Sequence, residues 1–335
     1  MILVSGGTGL VGSHLLMELS SDPNNSIRAL YRNKESLSKC KKVFASENKL
    51  SQFKTIDWQK ADLLDYFSLK DQMQGVKIVY HAAATVSFSA KDAEQMMRVN
   101  VEGTAHLANL SLEYGVQKFC FVSSVAALGE YPDKSCSDED TIWQKTTETS
   151  NYSISKYYAE NEVWRANQEG LPVVIVNPAT ILGYGDWTES SSTIIKKASK
   201  GLLFYPPGSN GFVGVKDVVK VMKLLMESEI EGERFVLVSE NLSFQSIMGL
   251  IAQQFGKKLP SIKVNKKAAK LMMYLDQIRA LLSGTKPMLT RESLQTAFKQ
   301  KCYSAAHIKN KLNFEFEPIE ESIEQACKIY RKESA

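Results

Sequence analysis

Three glycines near the start of the chain constrain its fold more than any other feature. Gly6, Gly9 and Gly12 form a GxxGxxG pattern between an apolar segment, Ile2–Ser5, and a segment with helical periodicity, Leu10–Ser20. In such a strand–turn–helix, the first glycine permits the turn, the second lets the backbone approach a pyrophosphate, and the third allows close helix–strand contact. The amides at the helix N-terminus then face the phosphates. The pattern therefore predicts a dinucleotide-binding unit.

Short apolar segments alternate with helical segments through the first 180 residues. The apolar segments are rich in β-branched residues and nearly continuous, as strands buried on both faces are. The predicted strands are Ile2–Ser5, Ile27–Tyr31, Phe53–Ile56, Lys77–His81, Phe119–Ser123, Val173–Asn177 and Phe235–Val238. Met96–Tyr114 and Tyr152–Gln168 are predicted helices. This order predicts an α/β fold of the Rossmann type, with a doubly wound parallel sheet.

The character of the sequence changes after Pro178. Glycine, serine and proline become frequent, and the pattern is mostly helical from Phe244 onward. We therefore expect a Rossmann domain and a smaller, mostly helical substrate lobe. The predicted Rossmann domain comprises residues 1–180 and is completed by roughly 212–240, and the predicted lobe comprises residues 181–211 and 241–335.

Residues 266–283 have the periodicity of an amphipathic helix. Its broad apolar face contains Leu271, Met272, Leu275, Ile278 and Leu282. We expect this face to pack on the hydrophobic core. The alternative is a helix that lies on a membrane surface or docks on a partner.

The composition excludes several classes of protein. Of 335 residues, 44% are hydrophobic and 23% charged, near the average for soluble globular proteins and unlike a collagen or a disordered chain. The net charge of +4 is small and dispersed, so we expect no nucleic-acid partner. No apolar run approaches the roughly 18 residues of a membrane span, and the first residues lack a basic signal-peptide region. We expect a cytoplasmic protein.

The cysteines and histidines show no metal-binding pattern. The five cysteines are scattered without a CxxC pair: Cys40, Cys120, Cys136, Cys302 and Cys327. An odd number of unpaired cysteines fits a reducing compartment. The four histidines are not near the cysteines in any recognisable pattern, so we expect no metal site.

Basic residues follow the second predicted strand. A fold specific for NAD would place an acidic residue about 20 residues past the glycines to bind the ribose 2′-hydroxyl. This chain has Arg32 there, followed by Lys34 and Lys39. A guanidinium can bind a 2′-phosphate through two parallel hydrogen bonds. We therefore predict a preference for NADP(H) over NAD(H). The alternative is that these are solvated surface cations.

Two further strand ends carry candidate cofactor contacts. Asp62 follows the third predicted strand, where a carboxylate can accept a hydrogen bond from an adenine amino group. Ala82 and Ala83 follow the fourth, where small side chains would let a cofactor lie across the strand ends. His81 precedes them, and we expect it to have a structural role.

A tyrosine and a lysine share one face of the helix after the fifth predicted strand. Tyr152 and Lys156 form a YxxxK pattern, about one helical turn apart. A nearby ammonium should lower the pKa of the phenol, which makes Tyr152 a general acid or base. YxxxK also occurs at Tyr66 and Tyr114, but both precede the fifth strand. Ser124 ends that strand, where its hydroxyl can bond a substrate oxygen beside Tyr152.

Further segments complete a family pattern. They are Asn100–Thr104, Ala159-Glu160, Asn177-Pro178 and Val215–Val218. Together with the glycine pattern, Asp62-Leu63, His81–Ala84 and the Ser124–Tyr152–Lys156 set, they make the chain resemble the extended short-chain dehydrogenase/reductases of the NAD-dependent epimerase/dehydratase superfamily. The specific motifs extend from residue 6 to residue 218.

The resemblance implies roles for individual residues. Ser124, Tyr152 and Lys156 would be the catalytic triad, and Arg32 and Lys39 would read the 2′-phosphate. Asn100 and the loop at Asn177 would line the nicotinamide end. The full implied cofactor set is Gly6, Thr8, Gly9, Leu10, Val11, Gly12, Arg32, Lys39, Asp62, Leu63, Ala82, Ala83, Asn100, Tyr152, Lys156, Asn177, Pro178 and Ile181.

The resemblance also points to one branch of the family. The ending Leu30–Arg32 and the segment Pro207–Asp217 look most like the dihydroflavonol-reductase-like branch, which is similar to 3β-hydroxysteroid dehydrogenases. Sugar-nucleotide epimerases usually show an Arg-Asp-Phe-like step where this chain has Asn210–Val213. That difference argues against a nucleotide-sugar substrate without excluding it.

We therefore expect an NADP(H)-dependent reductase or dehydrogenase that transfers hydride between the cofactor and a carbonyl or secondary alcohol of a small organic substrate. The alternative is a nucleotide-sugar epimerase or dehydratase with a tightly held NAD(P). A third hypothesis, a non-enzymatic dinucleotide sensor, is disfavoured because Tyr152 and Lys156 are both present. Family analogy implies a homodimer that pairs through Met96–Tyr114 and Tyr152–Gln168.

Overall fold

The computed structural model describes residues 1–131, 135–187, 192–283, 285, 287 and 289–334. Its strands are β1 (Ile2–Ser5), β2 (Ile27–Tyr31), β3 (Asp57–Lys60), β4 (Ile78–His81), β5 (Lys118–Val122), β6 (Val173–Pro178), β7 (Thr180–Leu182), β8 (Phe204–Tyr205), β9 (Ser209–Gly214), β10 (Glu233–Leu237), β11 (Glu240–Ser243) and β12 (Ile262–Lys263). Its α-helices are α1 (Leu10–Leu19), α2 (Lys34–Ser46), α3 (Leu50–Thr55), α4 (Tyr66–Lys70), α5 (Ala93–Met97), α6 (Gly103–Glu113), α7 (Asn151–Gln168), α8 (Ser192–Ala198), α9 (Val215–Glu227), α10 (Phe244–Gln254), α11 (Lys266–Ser283), α12 (Arg291–Phe298), α13 (Ala306–Leu312) and α14 (Ile319–Ser334).

Seven parallel strands form the central sheet, in the order β10-β6-β5-β4-β1-β2-β3. This is the Rossmann order, with β10 added beside β6. It confirms the predicted doubly wound α/β fold. The order reverses between β1 and β4, where Ser5 pairs with His81. In such sheets ligands bind at the carboxyl ends of the strands next to this reversal.

The two faces of the sheet bury different side chains of the same strands. On β5, Phe119 and Phe121 pack in one hydrophobic cluster, whereas Cys120 and Val122 pack in the other. This alternation follows from the two-residue period of a strand. Helices α6 and α7 cover one face, and α1 and α9 pack together on the other. The strands are therefore buried on both sides, as their continuous apolar character predicted.

The third predicted strand is wrong. Most of Phe53–Ile56 lies in helix α3, and the strand is β3, which begins at Asp57. Phe53 contacts Phe44 at 5.4 Å between ring centroids and packs against the main hydrophobic cluster. A short apolar run is equally consistent with a strand and with one turn of a buried helix, and tertiary packing decided between them.

In the described part of the chain, two small sheets and, after β10, the five helices α10 to α14 complete the structure. Strand β9 pairs with β7 in parallel and with β11 antiparallel, and β8 pairs with β12. Because β10 joins the main sheet, the segment around residues 212–240 contributes to the Rossmann sheet. The exact division into a Rossmann domain and a substrate lobe stays a prediction.

The expectation that the cysteines are unpaired is wrong for two of them. Cys136 and Cys302, 166 residues apart in sequence, form a disulfide. Their neighbours Ser137 and Tyr303 form a β-bridge, so the fold brings the two segments together. Cys40, Cys120 and Cys327 are free and buried. Widely separated cysteines give no sequence signal of such a pairing.

The prediction that the apolar face of α11 packs on the core is also wrong. The buried residues of this helix are Ala269, Met273 and Ala280, whereas Leu275 and Ile278 are exposed. Within the described part of the chain, no helix combines the length and apolar character needed to cross a membrane. Nor do the described residues contain a cluster of three or more His, Cys, Asp or Glu that could hold a metal ion.

Candidate active site

The glycine loop after β1 is shaped by two close backbone contacts. Gly6 has a left-handed φ of +70°, and a Cβ there would lie 2.5 Å from Ala83 N. A Cβ on Gly12 would lie 2.1 Å from Gly6 O. A Cβ on Gly9 would meet only Gly6 O, at an ordinary 3.4 Å. The fold itself thus requires glycine at positions 6 and 12, whereas Gly9 leaves backbone open towards the neighbouring cavity.

A cavity of about 340 Å³ begins at this loop and crosses the ends of β1, β2 and β4. Ten residues of the predicted cofactor set line it: Gly6, Thr8, Gly9, Leu10, Arg32, Lys39, Asp62, Leu63, Ala82 and Ala83. Gly9 is the N-cap of α1 and, having no side chain, gives that helix no side-chain cap. The first amides of α1 are therefore available to phosphate oxygens. The lining fits a dinucleotide pyrophosphate.

Two cationic side chains at the β2 side of the cavity, Lys39 and Arg32, differ in their contacts. Lys39 forms ion pairs with Asp186 at 2.7 Å and with Glu35 at 3.2 Å. Arg32 is exposed and lines the same cavity. The Asp62 carboxylate accepts a hydrogen bond from Leu64 N at 3.0 Å, which orients the loop after β3. Arg32 is thus better placed than Lys39 to meet an added phosphate.

Asn100 connects the cavity to helix α7. Its side-chain oxygen accepts from Thr85 N at 2.7 Å, and its side-chain nitrogen donates to Thr85 O and to Ser155 Oγ, both at 2.9 Å. Thr85 lines the cavity, and Ser155 lies one residue before Lys156. Asn100 itself lies in a π-helical turn between α5 and α6, a local form that often occurs at functional sites.

The three residues predicted to be catalytic lie at the carboxyl end of β5. Ser124 follows β5, and its side chain lies close enough to the Tyr152 phenol to lower the pKa of that phenol. Ser124 Oγ also accepts a hydrogen bond from Ala126 N at 3.1 Å. Lys156 is 1% exposed, and its Nζ donates to Val122 O at 2.8 Å. The same nitrogen lies 4.4 Å from the centroid of the Phe121 ring. Helix α7 therefore presents Tyr152 and Lys156 towards one strand end.

The expected lowering of the phenol pKa is wrong in this structure. Burial raises the pKa of Tyr152, and the Ser124 side chain opposes this rise only in part. Burial also lowers the pKa of Lys156 to about 7, against the attraction of the Glu160 carboxylate. Desolvation disfavours the charged form of both groups. The protonated phenol is therefore the dominant form at neutral pH.

Glu160 belongs to the family pattern found in the sequence, but that pattern assigned it no role. The buried Glu160 carboxylate accepts from Ser123 Oγ at 2.6 Å, Asn177 Nδ2 at 2.9 Å and Arg234 Nη1 at 2.9 Å. Glu160 lies one helical turn after Lys156, and this spacing was a usable signal. Arg234 is 74 residues away on β10, and no local pattern indicates it.

The remaining predicted cofactor residues lie outside the cavity lining. Val11 and Gly12 are in the first turn of α1, beneath the loop. Asn177 and Pro178 end β6, and Ile181 lies on β7, where it pairs with Val213. Asn177 Nδ2 also donates to Ser124 O at 3.1 Å, whereas its buried Oδ1 has no hydrogen-bond partner in the described part of the chain. That oxygen could accept from an amide group.

His81 has the structural role that the sequence suggested. Its Nδ1 is 2.6 Å from Ser5 Oγ, and its Nε2 is 2.9 Å from Thr104 Oγ1. Burial lowers the pKa of this imidazole to about 3, so the ring is neutral. Both ring nitrogens are satisfied, and the histidine joins β1 and β4 to helix α6.

Comparison with known proteins identifies the family. The model of the NAD-dependent epimerase/dehydratase family matches residues 2–237, and the chain belongs to this family. It is thus an extended short-chain dehydrogenase/reductase, an NAD(P)-dependent enzyme that acts on CH–OH or C=O groups. The family assignment confirms the resemblance found in the sequence.

Several relatives are similar along most of the chain. A putative dihydroflavonol 4-reductase from Synechocystis is 28% identical over 331 residues, covering 96% of this chain and 92% of the relative. Sterol demethylase protein B from Methylococcus capsulatus is 30% identical over 264 residues, covering 78% and 76%. The crystal structure of gox2253 has a TM-score of 0.80 at 30% identity, covering 99% and 98%. UDP-glucose 4-epimerase from Thermotoga maritima shares the fold, with a TM-score of 0.77 at 20% identity. The match covers 100% of this chain and 99% of the epimerase.

The geometry of the glycine loop predicts different effects for alanine at positions 12 and 9. Gly12→Ala should destabilise the protein by about 1–3 kcal/mol, because its Cβ would overlap Gly6 O. Gly9→Ala should leave the melting temperature near that of the wild type but weaken dinucleotide binding at least about tenfold, because its Cβ would occupy the phosphate approach. Thermal unfolding and fluorescence titration with NADPH measure the two effects. Equal losses of stability in both variants would contradict this assignment.

The buried amine of Lys156 predicts a pH-dependent stability. The folded-state pKa of about 7 lies below the ordinary 10.5, so the unfolded chain binds more protons between these values. The free energy of unfolding should therefore rise with pH between about 7 and 10.5. Below about pH 7 the buried amine is charged, and the full cost of burying an ammonium is present. Lys156→Met should raise the melting temperature at about pH 6 by on the order of a few degrees, and less at about pH 9.

Lys42→Met serves as the control because Lys42 is exposed on α2. It should show no such pH-dependent gain. If Lys156→Met destabilised the protein equally at both pH values, burial of the charged Lys156 amine would not lower the stability as predicted.

Proposed function

We propose that the protein is an NADP(H)-dependent reductase, which reduces the carbonyl group of a small organic substrate and can run in reverse on the secondary alcohol. The observation that carries the proposal is the grouping of Ser124, Tyr152 and the buried Lys156 amine at the end of β5, where Lys156 Nζ donates to Val122 O. This set lies on the same strand-end edge of the sheet as the cavity that the glycine loop lines. When bound, the cofactor supplies the hydride.

Each residue of the set has a distinct proposed role. Tyr152 donates its phenolic proton to the substrate oxygen as negative charge develops there. Ser124 donates a hydrogen bond to the same oxygen and holds the phenol in place. Lys156 binds the nicotinamide ribose, and its positive charge, when present, stabilises the phenolate that forms. The phenol is protonated at neutral pH, as a proton donor must be, and because its raised pKa makes it a weaker acid, donation depends on stabilisation of the phenolate by a charged Lys156.

The cofactor set is proposed to divide along the cavity. The glycine loop with Thr8 and Leu10 holds the pyrophosphate, Asp62 and Leu63 contact the adenine, and Ala82 and Ala83 underlie the cofactor at the strand ends. Asn100, Asn177, Pro178 and Ile181 are proposed to surround the nicotinamide. The partnerless Oδ1 of Asn177 supports this proposal, because a carboxamide donor would satisfy it.

The preference for NADP(H) rests on Arg32. Lys39 already pairs with two carboxylates, so its charge is balanced. A 2′-phosphate near Arg32 would gain a bidentate charge-assisted contact that a 2′-hydroxyl cannot match.

The epimerase or dehydratase alternative keeps support from the family name and from solved structures such as UDP-glucose 4-epimerase, which share the fold. The relatives that favour a reductase match at higher identity. The dihydroflavonol 4-reductase is 28% identical over 96% of this chain, and a cinnamoyl-CoA reductase from Petunia hybrida is 28% identical over 58% of it. We further propose that residues 181–211 and 241–335 form the substrate lobe. The homodimer and the cytoplasmic location stay predictions.

Tyr152→Phe should reduce kcat by about 100- to 10,000-fold, because the substrate oxygen loses its proton donor. The dissociation constant for NADPH should stay within about twofold of the wild type, since the ring remains. Tyr158→Phe, on an exposed part of the same helix, is the matched control and should keep full activity. Full turnover in Tyr152→Phe would refute the assignment.

Arg32→Asp should lower the ratio of NADPH to NADH affinity by about 10- to 100-fold, because it replaces a charge-assisted contact with repulsion. Lys34→Asp makes the same charge change two residues away, outside the cavity lining, and should alter the ratio much less. Binding of both cofactors is measured by titration of nicotinamide fluorescence. An unchanged ratio in Arg32→Asp would overturn the NADP(H) preference.

A further inference from the structure

Helix α11 exposes its apolar face to solvent, whereas an ordinary surface helix buries that face. Its inward face is made of small or flexible residues, Ala269, Met273 and Ala280. Large apolar side chains face solvent instead: Leu271, Met272, Tyr274, Leu275, Ile278, Leu281 and Leu282. Leu281 and Leu282 are each 83% exposed. Contiguous exposed apolar surface of this kind marks an interaction site.

The exposed apolar surface continues into the segment before the helix. Leu259 and Ile262 are exposed, and β12 pairs Ile262 with Phe204 of β8. Phe204 and its neighbour Leu203 are exposed as well. We name α11 and these four residues the apolar platform.

The same stretch of chain is strongly basic. Residues 257–275 contain six lysines and no acidic residue. All six are exposed: Lys257, Lys258, Lys263, Lys266, Lys267 and Lys270. Three of them lie in the first turns of α11, directly beside its apolar side chains. Lysines can extend their long stems past apolar surface and keep the ammonium at a polar boundary.

We propose that the apolar platform docks on the surface of an anionic lipid bilayer, with α11 lying in the plane of the interface. Apolar side chains flanked by lysines fit the boundary between acyl chains and anionic headgroups. A second copy is a poorer occupant, because residues 257–275 of that copy would bring no carboxylate to these lysines. The charges on α11 fit a helix that lies along the interface, not one that crosses the bilayer.

The platform adjoins the candidate active site without forming part of it. Asp276 on α11 accepts from Leu289 N at 2.8 Å. Three residues after Leu289, Glu292 on α12 accepts from Asn151 Nδ2 at 2.7 Å. Asn151 directly precedes Tyr152 on α7. One short helix thus links the docking surface to the start of the site helix, although membrane binding does not depend on the proposed reaction.

Flotation of the full-length protein with lipid vesicles tests the proposal. The wild type should float with phosphatidylcholine vesicles that contain about 30% phosphatidylglycerol, and much less with phosphatidylcholine alone. High salt should weaken the binding, because part of it is electrostatic. Tyr152→Phe should bind as the wild type does, which separates this test from that of the reaction.

Two variants address the two components of the surface. Leu275→Glu/Ile278→Glu removes apolar contact, and Lys266→Glu/Lys267→Glu/Lys270→Glu reverses charge. Each should reduce the vesicle partition coefficient at least about tenfold. Phe67→Glu is the matched control, because Phe67 is 78% exposed on α4, outside the platform. It should bind normally. Circular dichroism and thermal unfolding show whether each variant is folded.

Three results would overturn the proposal. The wild type could fail to float with anionic vesicles, or both platform variants could float as well as the wild type while folded. The third result is a dimer, seen by sedimentation without lipid, that dissociates in Leu275→Glu/Ile278→Glu. It would show that a second copy covers the platform.

Discussion

The buried Glu160 carboxylate is the interaction on which the site depends. It joins α7 to three neighbouring strands, through Ser123 directly after β5, Asn177 near the end of β6 and Arg234 near the start of β10. These contacts fix the rotation of α7, which carries Tyr152 and Lys156. Removing one partner of a buried ion pair typically costs about 3–5 kcal/mol, because the remaining charge stays buried. The geometry of the proposed proton donor therefore rests on a group that does not itself reach the substrate.

The candidate active site buries titratable groups, whereas helix α11 exposes large apolar side chains. In the site, burial raises the pKa of the Tyr152 phenol and lowers the pKa of Lys156, so the proposed chemistry depends on groups whose charged forms are costly. On α11 the large apolar side chains remain exposed while alanines face inward. Both arrangements are unfavourable for the isolated protein, and we propose a ligand for each, a dinucleotide in the site and a lipid surface at α11.

The sequence predicted features that local patterns encode. The glycine loop, six of the seven sheet strands and the approach of Ser124 to Tyr152 follow from short motifs placed on strands and helices. It failed where distant segments decide the outcome. The Arg234–Glu160 pair and the Cys136–Cys302 disulfide need the tertiary fold. The direction of the Tyr152 pKa shift depends on desolvation, and periodicity shows that α11 has an apolar face without showing which way it points.

The identity and retention of the cofactor test the central claim most directly. The freshly purified protein is denatured, any released nucleotide is identified, and the emptied protein is titrated with NADPH and NADH. An enzyme that exchanges its cofactor each turnover should release little nucleotide and bind NADPH much more tightly than NADH. Near-stoichiometric NAD in the denatured sample would contradict the account, because it would indicate a closed redox cycle of the epimerase or dehydratase kind.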